Sequence, residues 1–255
     1  MDRLAFTSLK SVTEERVRRE MLTNELANIT SVGFKRSFES TTKTVKVQGP
    51  GFDSRLMPVL EQRDQINLEP GVRMITGRKL DVSIDGSGVL GVRAKNGDVA
   101  YTRRGDLHVN NAGLLETGGG HAVLGDNAAP INVPVGLDLE IGADGSIWAR
   151  DPNNGDQPAV QVGRLMLRDA STTPLGRRED GLFKAYGDGV LPNGDFPTGP
   201  VPVGVTAGAV EGSNVSPIEA MVRMLDQTRS FETQIKIIKE SRGLDESGAT
   251  MLRAR

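Results

Sequence analysis

The chain predicts an α+β fold: N- and C-terminal helices pairing as a coiled-coil-like α domain, with a central, mostly antiparallel all-β domain between them. Three observations lead there. The strongest helical patterns sit at opposite termini, in residues 1–33 and 204–255. Between about 80 and 203 the pattern is short alternating strands separated by polar turns, which signals hairpins rather than βαβ crossovers. Thirty-one Gly and thirteen Pro in 255 residues, with aromatics at 4%, suit a turn-rich β middle better than a bundle. The expected division is a helix at 1–33, an extended arm at 34–79, a β domain at 80–203 and a helix at 204–255.

In the first helix Leu9, Val12, Val17, Met21, Leu22, Leu26 and Ile29 recur at spacings of three and four, which lays one apolar stripe. Glu14 with Arg18 and Glu15 with Arg19 support the polar face at four-residue spacing. Asn28, Thr30 and Ser31 weaken the helix and Gly33 ends it. From 34 to 79, Phe34, Phe38, Val45 and Val47 hint at extended chain, and Gly49-Pro50-Gly51 and Pro70-Gly71 are breakers. So long a stretch without clear structure fits an arm along a subunit interface.

Strands are expected at 80–84, 89–94, 99–103, 114–117, 121–124, 137–141, 146–149, 160–167 and 182–186. Turns at Asn96-Gly97, 110–113, 118–120, Asp144-Gly145 and 153–156 separate them. A Pro/Gly linker at 192–202 leads to the last helix. Ser213 or Asn214 can cap that helix, as can Ser216, with Pro217 then in the first position and Glu219 in the first turn. Ile218, Met221, Val222, Leu225, Phe231, Ile235 and Ile238 form its apolar face, and Gly243 is expected to break it.

Composition narrows the function. A net charge of −2 gives no field of one sign, so nucleic acid is not an expected partner. No stretch approaches the ~20 apolar residues of a spanning helix, so no direct membrane insertion is expected. No apolar run of a secretory signal is visible near the N-terminus, and the absence of Cys removes thiol chemistry. Gly86-Ser87-Gly88-Val89-Leu90-Gly91 spells GxGxxG, but Lys95-Asn96-Gly97-Asp98 follows as a hairpin turn. The dinucleotide motif needs a helix N-terminus there. His108 and His121 have no partners at metal-ligand spacing, and no nucleophile elbow or phosphate loop is present. Arg103-Arg104 and Arg177-Arg178 read as solvated pairs. No catalytic residue, cofactor or metal is expected.

The segment 24–36, with Asn24, Leu26, Ala27, Asn28, Gly33, Phe34 and Lys35, resembles the N-terminal signature of bacterial flagellar rod and hook proteins. The block 80–88, then Tyr101-Thr102-Arg103-Arg104-Gly105, Gly113-Leu114-Leu115 and Val123-Leu124-Gly125, is similar to that family's β domain. Glu211-Gly212-Ser213-Asn214-Val215, running into Pro217-Ile218-Glu219-Ala220-Met221-Val222 and Arg229-Ser230-Phe231-Glu232, is similar to its final helix. The motifs stand in family order and span the chain. Among the mid-length members, Glu-Gly-Ser-Asn-Val resembles the proximal-rod branch.

The resemblance implies a structural subunit of the proximal rod, the drive shaft that carries torque across the periplasm. It implies export without a cleaved signal peptide. The implied partners are other copies of the chain, other rod subunits including the distal-rod protein, and the flagellar type III export apparatus. The assembly faces would be Leu9, Val12, Met21, Leu22, Leu26 and Ile29 on the first helix and Ile218, Val222, Leu225, Phe231, Ile235 and Ile238 on the last. Ser213, Asn214 and Val215 join the N-terminal signature residues as family-motif positions. A distal-rod or hook-type subunit, and a nucleotide- or sugar-acting enzyme using residues 86–91, are the alternative readings.

Overall fold

A computed structural model describes residues 2–37, 41–46, 56–61, 65–134, 136–152 and 158–253. Phe38, Val47, Gly49-Pro50-Gly51 and the turn at 153–156 lie outside the described residues, as do the side chains of Leu9 and Glu14. The chain divides into two units, one of residues 1–27, 39–63 and 215–255, the other of residues 28–38 and 64–214.

The first unit contains helix α1 (Asp2–Ala27), strands β1 (Thr41–Lys46) and β2 (Leu56–Glu61), and helix α2 (Pro217–Arg253). β1 and β2 pair antiparallel, Thr41 opposite Glu61 and Lys46 opposite Leu56. Of the three candidate caps, Ser216 is the one that begins α2. Its hydroxyl accepts the Glu219 N–H at 3.4 Å and its carbonyl the Ala220 N–H, while Pro217 needs no partner for a missing N–H. Gly243 does not break the helix as expected. A lone glycine costs about 1 kcal/mol relative to Ala, and the Arg242–Glu246 pair at 2.9 Å and the Ser247 hydroxyl on the Gly243 carbonyl knit the chain across it.

The coiled-coil-like pairing of the terminal helices is overturned. Such a seam requires the apolar positions to interlock out of water. Here Ile218 is 77% exposed and Leu225 61%, with Met221 and Val222 also exposed. Contact between the helices is seen instead where the Arg19 guanidinium lies 5.1 Å above the Phe231 ring. The reason is periodicity. At 100° per residue, Ile218, Met221, Val222 and Leu225 share one side of α2, while Phe231, Ile235 and Ile238 fall roughly 120° further round. No single stripe runs the length of the helix.

The second unit holds β3 (Arg73–Ile75), β4 (Val82–Ile84), β5 (Gly88–Arg93), β6 (Val99–Thr102), β7 (Leu107–Val109), β8 (Leu115–Thr117), β9 (Asp138–Ile141), β10 (Ser146–Arg150), β11 (Val160–Arg164), β12 (Leu167–Asp169), β13 (Leu175–Arg177), β14 (Phe183–Ala185), β15 (Val205–Ala207) and β16 (Ala209–Glu211). The largest sheet is ordered β12-β5-β6-β14-β13 and every pairing in it is antiparallel. A second sheet runs β11-β10-β9, and β15–β4, β16–β3 and β7–β8 form two-stranded ribbons.

β5 is buried on both faces, which two-residue alternation makes possible. Leu90 and Val92 enter one core with Val82, Ile84, Leu107, Leu115, Val123 and Ile147. Val89 enters another with Tyr101, Met166, Leu175, Phe183 and Phe196, where the Tyr101 and Phe196 rings meet edge-on at 4.8 Å. The fingerprint glycines serve this strand. No helix follows them, and at Gly91 a Cβ would stand 2.6 Å from the Met166 sulfur.

Leu90 is fully buried between these layers, so Leu90→Ala should destabilise the β unit by about 2–5 kcal/mol. Urea unfolding followed by the fluorescence of the lone Trp148, which lies in β10, measures the loss.

Candidate assembly faces and a buried ionic cluster

The N-terminal signature continues past α1 into the β unit. Gly33 ends a turn at φ +68°, and there a Cβ would come within 2.4 Å of the Arg103 carbonyl carbon. Glycine alone among the residues tolerates both demands. Its N–H donates to the Glu211 carbonyl at 2.7 Å. Next, the Phe34 ring lies 4.2 Å beneath the Arg177 guanidinium, which also donates to the Lys35 carbonyl.

Lys35 then points inward and is fully buried, side-chain exposure 0%. Its Nζ lies 2.6 Å from Glu211 Oε1 and donates to the Glu69 carbonyl at 2.7 Å. Arg103, 1% exposed, takes the other carboxylate oxygen: Nη2 and Nε lie 2.7 and 2.8 Å from Glu211 Oε2. Two cations thus share one carboxylate. Backbone dipoles hold the excess positive charge, since Arg103 also donates to the carbonyls of Ile84, Gly86 and Gly88 at 2.6–2.9 Å. The Gly71 N–H adds a further bond to Glu211 Oε1 at 2.7 Å. Arg103 is therefore no solvated partner of Arg104, as the sequence suggested. Arg104 instead pairs with Asp106 at 2.7 Å.

Asn214 laces the same region. Its amide oxygen accepts the Arg36 N–H at 2.7 Å, and its amide nitrogen donates to the carbonyls of Asn67 and Glu69 at 3.0 and 3.2 Å. Asn67 N–H reaches the Arg36 carbonyl, and Ser37 bridges Ile66. Motif residues from the two ends of the chain, 176 positions apart at Lys35 and Glu211, are brought together. Asn28 accepts the Ser31 hydroxyl at 3.1 Å nearby in sequence. Glu69 and Asn67 were not singled out by sequence reasoning, and Glu211 was named only as a motif residue, with no burial or ionic role. The one legible signal for Glu211 was its place at the head of the C-terminal motif.

The expected assembly residues are dispersed. On α1, Leu22 is buried, Val12, Met21 and Leu26 are half-buried, and Asn24 and Ala27 are exposed; Ile29, expected on the first helix, lies in the turn beyond its end at Ala27 and is half-buried. On α2, Ile218, Val222 and Leu225 are exposed, and Phe231, Ile235 and Ile238 are half-buried. Ser213 is half-buried and Val215 buried. In the β unit, exposed Val72, Met74 and Ile75 on and beside β3 form an apolar edge that the sequence did not flag. Among the described residues no cluster of three or more His, Cys, Asp or Glu could hold a metal ion, and no helix is long and apolar enough to cross a membrane.

Residues 206–251 match the family described as flagellar basal body rod FlgEFG protein C-terminal, and residues 83–149 match the flagellar hook protein FlgE/F/G D1 domain. The chain is 33% identical over 238 residues to the flagellar basal-body rod protein FlgF of Salmonella typhimurium, covering 93% of each chain. The chain belongs to the flagellar basal-body rod family, FlgF type. The FlgF protein of Escherichia coli is 32% identical over 93% of each chain, and the FlgG protein of Bacillus subtilis 26% identical over 94% of this chain and 96% of its own. The protein is a structural rod subunit of the flagellar basal body. The two matched stretches carry Arg103 and Glu211, two of the three members of the ionic cluster.

Burial, reinforced by the charge of Arg103, draws the Lys35 ammonium down from 10.5 to about 8 against the opposing pull of Glu211. Burial likewise lowers Arg103 from its ordinary value. For Lys35 the sign follows directly. Between pH 8 and 10.5 the unfolded chain binds the proton that the folded chain has released, so stability rises with pH across that window. The gain is at most about 3 kcal/mol. Urea midpoints at pH 7.5 and 9.5 should show this rise in the wild type and lose it in Lys35→Met.

Proposed function

We propose that the protein is a proximal-rod subunit that transmits torque across the periplasm and performs no catalysis. The observation that carries this reading is the apolar shoulder of α2. Ile218, Met221, Val222 and Leu225 stand in solvent on the terminal helix of a chain whose relatives are rod proteins. Burying each such side chain contributes roughly 1.5–3 kcal/mol, so covering four supplies roughly 6–12 kcal/mol before the cost of ordering the chain. Contact with neighbouring copies supplies that cover. Heterologous contacts of this kind, repeated without closing, build a helical tube.

In this reading Val12, Met21 and Leu26 on α1, with the apolar positions of α2, are the surfaces that join subunits, and the buried Leu22 supports them from beneath. Torque then passes as shear through many packed contacts, and the β unit stiffens the shaft. Other rod subunits, the distal-rod protein among them, are the neighbours along the axis. The type III export apparatus delivers the chain. Neither nucleic acid nor membrane insertion has a part.

Leu26, Leu225 or Ile235 replaced by Asp should abolish incorporation into the rod and motility, while the urea transition reported by Trp148 stays unchanged. Normal motility in these variants would overturn the assignment of the faces. Amide exchange gives a second check. Residues 2–27 and 218–250 should exchange rapidly in purified monomer and slowly in isolated basal bodies; equal protection in both would count against assembly as the source of order.

A further inference from the structure

The last strip of the β unit makes contacts that no earlier residue replaces. Val205 and Ala207 of β15 pair with Ile84 and Val82 of β4, and Ala209 and Glu211 of β16 pair with Ile75 and Arg73 of β3. Gly208 N–H donates to the Asp81 carbonyl and Gly212 N–H to the Val72 carbonyl, both at 2.8 Å. Val205, Ala209 and Val210 are buried. Glu211 then brings the carboxylate for Lys35 and Arg103, which lie 176 and 108 residues before it.

Nearby acids do not substitute. The Glu69 carboxylate accepts from Asn67 Nδ2, and the Asp85 carboxylate accepts from Arg73 Nη2. A β unit folded without Glu211 would enclose two cations and no contacting carboxylate, and an uncompensated buried charge is strongly destabilising. Closing so long a loop also carries an entropic cost that only the finished contacts offset.

We infer that residues 205–214 are a completion clasp. The β unit stays open until Glu211 seats between Lys35 and Arg103, and then closes as one. Val82, Ile84 and Leu90 share the core that Val205 completes, so the strip is part of the interior and not a strap laid over a finished domain. A chain arriving N-terminus first therefore presents no closed β unit until residue 211 is available, with α2 directly behind it. The clasp makes folding of the β unit report that the assembly helix is about to follow.

Pulse-labelled hydrogen exchange during refolding of the full-length chain tests this. The amides of Gly91, Arg93 and Met166, bonded to Met166, Ala122 and Leu124, should gain protection with the same rate constant as those of Val205, Gly208 and Gly212. Protection of the first set in a phase ten-fold or more faster would overturn the clasp. Native-state exchange of Glu211→Gln supplies a second readout. Protection at Gly91, Arg93 and Met166 should fall a hundred-fold or more together with that at Gly212, and Glu211→Asp should restore part of it. A loss confined to residues 205–214 would reduce Glu211 to a local contact. Should Glu211→Gln fail to fold, the wild-type pulse experiment decides alone.

Discussion

One carboxylate between two buried cations organises the β unit. Lys35, Arg103 and Glu211 come from the start, middle and end of the chain, and all three are out of water. Burial of an ion costs several kcal/mol after relaxation, and attraction offsets this only where geometry and hydrogen bonding are good. Here each oxygen of Glu211 receives a cation, backbone carbonyls of Ile84, Gly86 and Gly88 take the remaining N–H groups of Arg103, and the Glu69 carbonyl takes a second N–H of Lys35. Two apolar residues of similar size could fill the same space. What they would not do is tie the N-terminal signature to the head of the C-terminal motif with directional bonds.

That constraint gives a different meaning to features that suggest other chemistry. The GxGxxG run has the letters of a phosphate site, yet its carbonyls at Gly86 and Gly88 face the Arg103 guanidinium. Acceptors aimed at a cation are the reverse of the N–H donors that a pyrophosphate requires. Gly33 is explained by the same crossing, because the chain must approach the Arg103 backbone more closely than a side chain permits.

The two units divide the physical tasks. In the β unit, apolar side chains from alternate strand positions are enclosed in two cores, and Lys35, Arg103 and Glu211 are bonded to one another. In α2, the aliphatic residues of the first turns stay in water. Pairs at i,i+4 such as Arg223–Glu219 and Arg242–Glu246 each add only about 0.2–0.5 kcal/mol to this helix, so its lasting order depends on cover of its apolar side. Stability of the β unit and availability of the helical surface are thus set by different residues. A rod protein needs both at once.

Local rules determined much of this from the sequence alone. Helical spacing marked α1 and α2, polar dipeptides such as Asn96-Gly97 marked hairpins, and the ordered motifs from Asn24 to Phe231 marked the family. Such signals act over a few residues, or survive as fixed strings, and need no three-dimensional partner. Tertiary structure alone decided what depends on distance through space. Arg103-Arg104 reads as two solvated cations until Glu211, 108 positions later, is seen to bury the first and leave the second to Asp106. The apolar residues of α2 read as one face until their phase drifts round the helix and leaves Ile218 to Leu225 outside. Charge and hydrophobicity are written in the residue; whether either is buried is settled by the neighbours that the fold supplies.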